Sequence, residues 1–194
     1  RTNIKTIWII DPLDGTSEFV KGGPEFTVNL ALVKDHKVIL GVVYVPMTKE
    51  LYFAHNEIGS YKYVGDMKQK LSDYLNVSKK LPYTKTDKTT IVASKLNLDK
   101  KTKRYIYNIV NPKDNKGRIK PLNVEYINRS SSLKFCMIAE GTADIYPRMS
   151  IIYEWDTAAA HAIIKFSGKN VYDIYGNELL YNKLSLKSLQ FIAK

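Results

Sequence analysis

Ile7-Trp8-Ile9-Ile10-Asp11-Pro12-Leu13-Asp14-Gly15-Thr16 is the stretch on which the fold turns. The apolar run Ile7 to Ile10 predicts a buried strand. It ends on an aspartate. Pro12 then fixes one backbone dihedral, and Gly15 tolerates conformations that other residues avoid. A turn built this way holds Asp11 and Asp14 rigidly, three positions apart, so that both carboxylates can converge. Hard divalent cations take oxygen ligands, and Mg²⁺ is usually held by a few carboxylates plus substrate phosphate. The Leu13 carbonyl, exposed by the turn, is a further candidate ligand. From Thr16 to Val20 the chain can start a short helix whose free N–H groups attract phosphate. Pro-Leu-Asp-Gly is equally ordinary turn chemistry, and the segment alone supports either reading.

Downstream, Thr27 to Val33 alternates and is rich in β-formers, Asp35-His36-Lys37 signals a turn, and Val38–Val45, Glu50–Ala54 and Gly59–Val64 predict further strands. Short connections between them indicate an antiparallel meander. Asp66 to Lys88 is polar and irregular, which places a domain boundary near residue 85. Beyond it, strands are expected at 90–94, 122–128, 143–146 and finally 171–174. Helices are expected at 100–110, at 130–140 closed by Gly141, and at 155–166 closed by Gly168. The expectation is thus an α+β fold, a layered α-β sandwich. Residues 1–85 supply an antiparallel-sheet part and residues 86–194 an α/β subdomain.

The 194 residues are 44% hydrophobic and 25% charged, ordinary for a globular chain. No apolar run approaches the ~20 residues of a membrane helix. A single cysteine, Cys136, excludes an intrachain disulfide and fits a reducing compartment. The net charge is +11, but Lys, Asn, Ile and Tyr are all abundant, as an A+T-rich genome produces, and the lysines run from Lys5 to Lys194. We read most of the charge as codon bias and the rest as steering of a small polyanionic substrate. Neither a nucleic-acid nor a membrane partner is expected.

A second acidic site lies far along the chain. Asp156, in Glu154-Trp155-Asp156-Thr157-Ala158, stands at the start of a helix. It reads either as an N-cap, worth ~1 kcal/mol, or as a third carboxylate for the same cation. His161, further along that helix, is given no role.

Taken together, Trp8–Thr16 and Trp155–Ala159 resemble the two signatures of the inositol-monophosphatase superfamily. Glu25-Phe26-Thr27-Val28-Asn29, Leu40–Tyr44, Ser131–Cys136, Ala139-Glu140-Gly141 and Tyr146-Pro147-Arg148 are most similar to its CysQ-type 3'(2'),5'-bisphosphate nucleotidases. The resemblance implies the family's sugar-phosphatase fold, with the active site between two subdomains. It implies hydrolysis of adenosine 3',5'-bisphosphate to AMP, in sulfur assimilation or nucleotide housekeeping, with two or three Mg²⁺ ions. Asp11, Asp14 and Asp156 would be metal ligands together with the Leu13 carbonyl, and Gly15 and Thr16 would meet the scissile phosphate. Ser131, Lys134 and Arg148 would contact nucleotide or phosphate. The two cations could neutralise a second phosphate, although each also reads as solvated charge. Ser130 stands where CysQ-type relatives usually have glycine. A cytoplasmic homodimer, sensitive to lithium, is also implied.

The family's Gly-x-Glu-x-x-x-Glu segment, whose glutamate works with the threonine, is not in this sequence. The chain also opens directly on its first strand, so we expect upstream sequence to be missing. An incomplete chain, a decayed or split gene, and a second polypeptide would each explain it. We therefore expect the chain alone to be weakly active. An inositol- or sugar-phosphate phosphatase, a fructose-bisphosphatase-like enzyme and an inactive degenerate fragment are the alternatives.

Overall fold

The computed structural model describes residues 2–68, 70–85, 88–94 and 98–194. Strands β1 (Thr6–Asp14), β2 (Thr27–Lys34), β3 (Lys37–Val45), β4 (Glu50–His55), β5 (Gly59–Val64) and β6 (Lys79–Lys80) form one antiparallel sheet in chain order. The β2–β3 hairpin turns on Asp35 and His36, with φ of 47° and 65°. Left-handed residues at both positions match the twist of the flanking strands.

β1 is not buried on both sides. It is an edge strand, and its residues alternate: Ile7 and Ile9 pack against the core, whereas Trp8 and Ile10 lie on the outer face, each 56% exposed. The continuous apolar run concealed a two-sided strand. The short helix α1 (Thr16–Val20) follows β1, and α2 (Leu71–Leu75) packs against the outer sheet face through Tyr74 and Leu75.

The inner face carries the core. Helix α5 (Ala158–Phe166) lies against it and α4 (Leu133–Glu140) packs on α5, and Val33, Val43 and Tyr52 share one cluster with Phe135, Ile138, Ile163 and Phe191. α5 approaches β3 over Gly41, where a Cβ would stand 2.2 Å from the Ala159 carbonyl oxygen. Residues 86 and 87, next to the expected boundary, lie outside the described residues.

In the second half, β7 (Thr89–Ser94) and β8 (Val124–Arg129) run parallel and are joined by α3 (Lys100–Val110), a βαβ crossover. Their carboxyl ends point the same way, as such ends do where α/β sheets bind ligands. β9 (Tyr146–Arg148), β11 (Val171–Asp173) and β13 (Phe191–Ala193) make a small antiparallel sheet, and β10 (Ile152–Tyr153) pairs with β12 (Lys187–Ser188). Four expectations are corrected. The strand expected at 143–146 is instead Tyr146–Arg148, with Ile145 making only a single bridge to Ile91. The strand at 171 is not the last. The helix expected from Ser130 starts at Leu133, because Ser131 takes φ +49°. The helix expected from Trp155 is a 3₁₀ turn, Glu154–Asp156, followed by α5, the break falling at Thr157 with φ −122°. Gly141 and Gly168 end their helices in left-handed conformations.

Candidate active site

β1 continues through Pro12, and its pairing with β2 slips between Asp11 and Asp14. Asp11 Oδ1 accepts the Leu13 N–H at 3.0 Å, which fixes the turn, and Thr16 Oγ1 donates to the Leu13 carbonyl at 3.4 Å. Gly15 at φ 90° opens α1. On the other side, Asp156 ends its 3₁₀ turn and accepts the Tyr153 N–H at 2.7 Å, closing a capping box on that turn; the residue that opens α5 is Thr157, so Asp156 is not the helix N-cap that the sequence suggested. That turn is anchored by the buried Glu154, which accepts from Asn182 N at 2.8 Å and Lys183 Nζ at 2.7 Å.

Capping does not exclude the other role. Single carboxylate oxygens of Asp11, Asp14 and Asp156 lie within 4.8 Å of one another. Burial, with added repulsion from Asp14 and Asp11, pushes the Asp156 carboxyl up to about 6, and burial also raises Asp11. Three converging carboxylates that repel one another are a fitting donor set for a hard divalent cation.

A cleft of about 300 Å³ opens beside them, lined by Asp14, Gly15, Thr16, Ser131, Lys134, Arg148 and Asp156 among others. All seven stand among the residues marked in the sequence. Lys134 is only 4% exposed, so it is not a solvated charge. Its Nζ donates to the Ser131 carbonyl at 2.7 Å and lies over the Tyr146 ring, and burial lowers its pKa to about 8. The buried Nε of Arg148 has no hydrogen-bond partner among the described residues. Ser131 is tied into the scaffold: its hydroxyl lies 3.0 Å from the Asp14 carbonyl and 2.7 Å from that of Glu25. A Cβ on Gly15 would meet that hydroxyl at 2.1 Å, so glycine is required on both conformational and steric grounds.

Several residues escaped the sequence reading. Ser132 Oγ donates to Asp14 Oδ2 at 3.1 Å, and Thr27 Oγ1 and Asn29 Nδ2 each stand 3.4 Å from the same oxygen. Their signal was there, since Thr27 and Asn29 are polar at the inward positions of an alternating strand. Glu18 and Glu25 clasp Ser130: Glu18 Oε1 accepts its hydroxyl at 3.0 Å and Glu25 Oε2 its N–H at 2.9 Å. The serine found in place of glycine is thereby accommodated.

The Inositol monophosphatase family profile matches residues 1–189. The chain belongs to the inositol monophosphatase family. It is 35% identical over 181 residues to the 3'(2'),5'-bisphosphate nucleotidase CysQ of Salmonella typhimurium, covering 93% of this chain and 64% of the relative. To the CysQ of Buchnera aphidicola it is 37% identical over 180 residues, covering 93% and 60%. The chain thus spans under two thirds of the length of these curated relatives. The crystal structure of CysQ from Bacteroides thetaiotaomicron, a bacterial member of the inositol monophosphatase family, superposes with a TM-score of 0.91 at 42% identity, covering 100% of this chain and 71% of that one. Mycobacterium tuberculosis SuhB shares the fold, with a TM-score of 0.68 at 22% identity over 98% of this chain and 67% of its own. No helix among the described residues is long and apolar enough to cross a membrane.

Proposed function

We propose that this chain carries the metal site and phosphate cleft of a divalent-metal-dependent phosphatase acting on a nucleoside bisphosphate, adenosine 3',5'-bisphosphate giving AMP. The carrying observation is the convergence of Asp11, Asp14 and Asp156 beside Lys134 and Arg148 in one cleft. The CysQ names of the relatives support the substrate class. Asp11, Asp14 and Asp156 would hold two or three Mg²⁺ ions together with the Leu13 carbonyl. Bound there, the metal supplies Lewis acidity and a water of lowered pKa.

The rest falls to the chain itself. Gly15 and Thr16 meet the scissile phosphate. The Arg148 guanidinium, with a buried N–H unspent, and the Lys134 ammonium neutralise the second phosphate. Phe135 and Ile152 make the apolar wall that limits water. Thr16 Oγ1 would take the attacking water's proton only while handing its own hydroxyl proton on, a relay that in the family ends on a glutamate of the Gly-x-Glu-x-x-x-Glu run. Lacking that run, the 194 residues alone should turn over slowly. The setting we propose is cytoplasmic, and the working form a homodimer.

Phosphate release with Mg²⁺ tests the reading. Adenosine 3',5'-bisphosphate should be preferred to inositol 1-phosphate. Lys134→Gln or Arg148→Gln should lower kcat/KM for the bisphosphate by about 10–100-fold, the loss of one charged hydrogen bond, and affect inositol 1-phosphate less. Equal losses on both substrates would remove the assignment of the two cations. Release unchanged by Asp14→Asn would remove the metal site.

A further inference from the structure

The excess positive charge is not scattered. Residues 76–129 contain 14 of the 30 Lys and Arg but only 4 of the 19 Asp and Glu, a net of +10 out of +11. Uniform codon bias does not produce such a division. The chain on either side is close to neutral.

One part of this segment adjoins the cleft. β7 ends at Ser94, which lines the cleft, and the crossover returns along α3 from that same end. The first turn of α3 is fastened there: Thr102 Oγ1 accepts the Met149 N–H at 3.0 Å, next to Arg148. Thr102 and Ile106 face inward, while Lys100, Lys101, Lys103 and Arg104 are exposed. None of these four forms an ion pair among the described residues. Asp99, just before these residues, is occupied as the helix cap, accepting from Lys101 N, Thr102 N and the Thr102 hydroxyl. Further along, Arg118 is paired with Asp114 at 2.9 Å. Among the described residues, the positive charge therefore has no ion-pair partner on the half of α3 that is fastened beside Arg148.

We propose that Lys100, Lys101, Lys103 and Arg104 form a cationic rim that draws multiply phosphorylated substrates toward the cleft from solution. The rim rests on reading the cleft as a phosphate site, but not on the substrate being a nucleotide. Fields of this kind raise association rates by ~10–10³-fold and are screened beyond ~10 Å at 0.1 M salt. Exposed side chains of this sort change capture rather than the chemistry, so kcat should stay put.

Stopped-flow association of two probes tests it: a fluorescently labelled adenosine 3',5'-bisphosphate, and a fluorophore-tagged inorganic triphosphate with no nucleoside, with Ca²⁺ in place of Mg²⁺. The double variant Lys101→Glu/Arg104→Glu should associate with both probes about tenfold more slowly at ~20 mM ionic strength, and within about twofold of the parent at ~0.5 M. Lys113→Glu/Lys116→Glu, in the loop beyond the far end of α3, carries the same charge change and should have a much smaller effect. If the triphosphate shows this pattern and the nucleotide does not bind, the rim stands and the nucleotide reading falls. If the nucleotide binds with rates indifferent to the α3 reversal at every salt concentration, the rim falls and the nucleotide reading stands. An equal effect of the two double variants would also overturn the rim, since net charge alone would explain it. Failure of both probes to bind at low salt overturns both.

Discussion

At the scale of single residues, Asp14 shows how a ligand is prepared. Its Oδ2 faces Ser132, Thr27 and Asn29 within 3.1–3.4 Å, and one of its oxygens joins the cluster with Asp11 and Asp156. Partners that orient a metal ligand are typically worth 10–100-fold in affinity. Ser132→Ala should therefore weaken Mn²⁺ binding by about 10-fold, read from the free-ion signal in electron paramagnetic resonance, with unfolding stability nearly unchanged. Unaltered Mn²⁺ affinity would mean that the carboxylate needs no such support. The contrast with Asp14 itself shows what was legible. Asp11 and Asp14 share one turn with a proline and a glycine, so their chemistry is written locally. Ser132 and Asp14, 118 positions apart, are joined only by the tertiary fold, and no local pattern announces that. Glu18 was invisible for the same reason: its partner Ser130 is 112 positions away.

At the scale of elements, the meander was readable because each strand alternates and each turn is short. The helix α3 was readable as a helix over 100–110; that the Asp99 carboxylate caps it came only from the structure. The two- and three-residue strands after Asp173 were not, since so few residues carry no period. The split between the 3₁₀ turn and α5 was hidden as well, because it depends on Glu154 being held from outside by Asn182 and Lys183. Gly41 belongs with these tertiary effects. In a strand sequence it reads as a weak point, but in the fold it is the gap that α5 fills. A methyl group there would meet Ala159 O at 2.2 Å and Ala162 Cβ at 2.7 Å, and neither backbone nor β-carbon can swing aside. Gly41→Ala should therefore destabilise by about 1–3 kcal/mol or more, as overpacking does, and shift the urea midpoint down with little change in slope. A midpoint at or above the parent value would show that α5 can retreat at no cost.

At the scale of the whole molecule, one cluster spans the sheet, α4, α5 and the C-terminal strands, so its stability is shared. His161, to which the sequence assigned no role, sits at 0% exposure inside it. Its Nδ1 accepts the Tyr181 hydroxyl at 2.9 Å and its Nε2–H donates to Asn170 Oδ1 at 2.7 Å, a fully used neutral ring. Glu178 lies 3.7 Å from Nε2 but is engaged by Lys165. Burial lowers the His161 pKa to about 4, from 6.5 for a free imidazole. Between those values the unfolded chain takes up a proton that the folded chain refuses. Stability from this group is thus complete above pH ~6.5 and is lost as pH falls toward 4. From pH 7 to 5 the loss is about 2 kcal/mol. Glu178, lowered by Lys165 against the effect of burial, works in the same direction but at lower pH. Asp156, raised by burial, works in the opposite direction over part of the range, becoming less costly as it is protonated. The whole-protein slope therefore mixes signs, and the difference between parent and His161→Gln isolates the ring. Urea unfolding should find the variant less stable at pH 7, by about 1–3 kcal/mol from the disturbed hydrogen bonds, with the gap narrowing by about 2 kcal/mol at pH 5. A gap of constant size at the two pH values would mean that the buried imidazole takes up its proton as readily folded as unfolded.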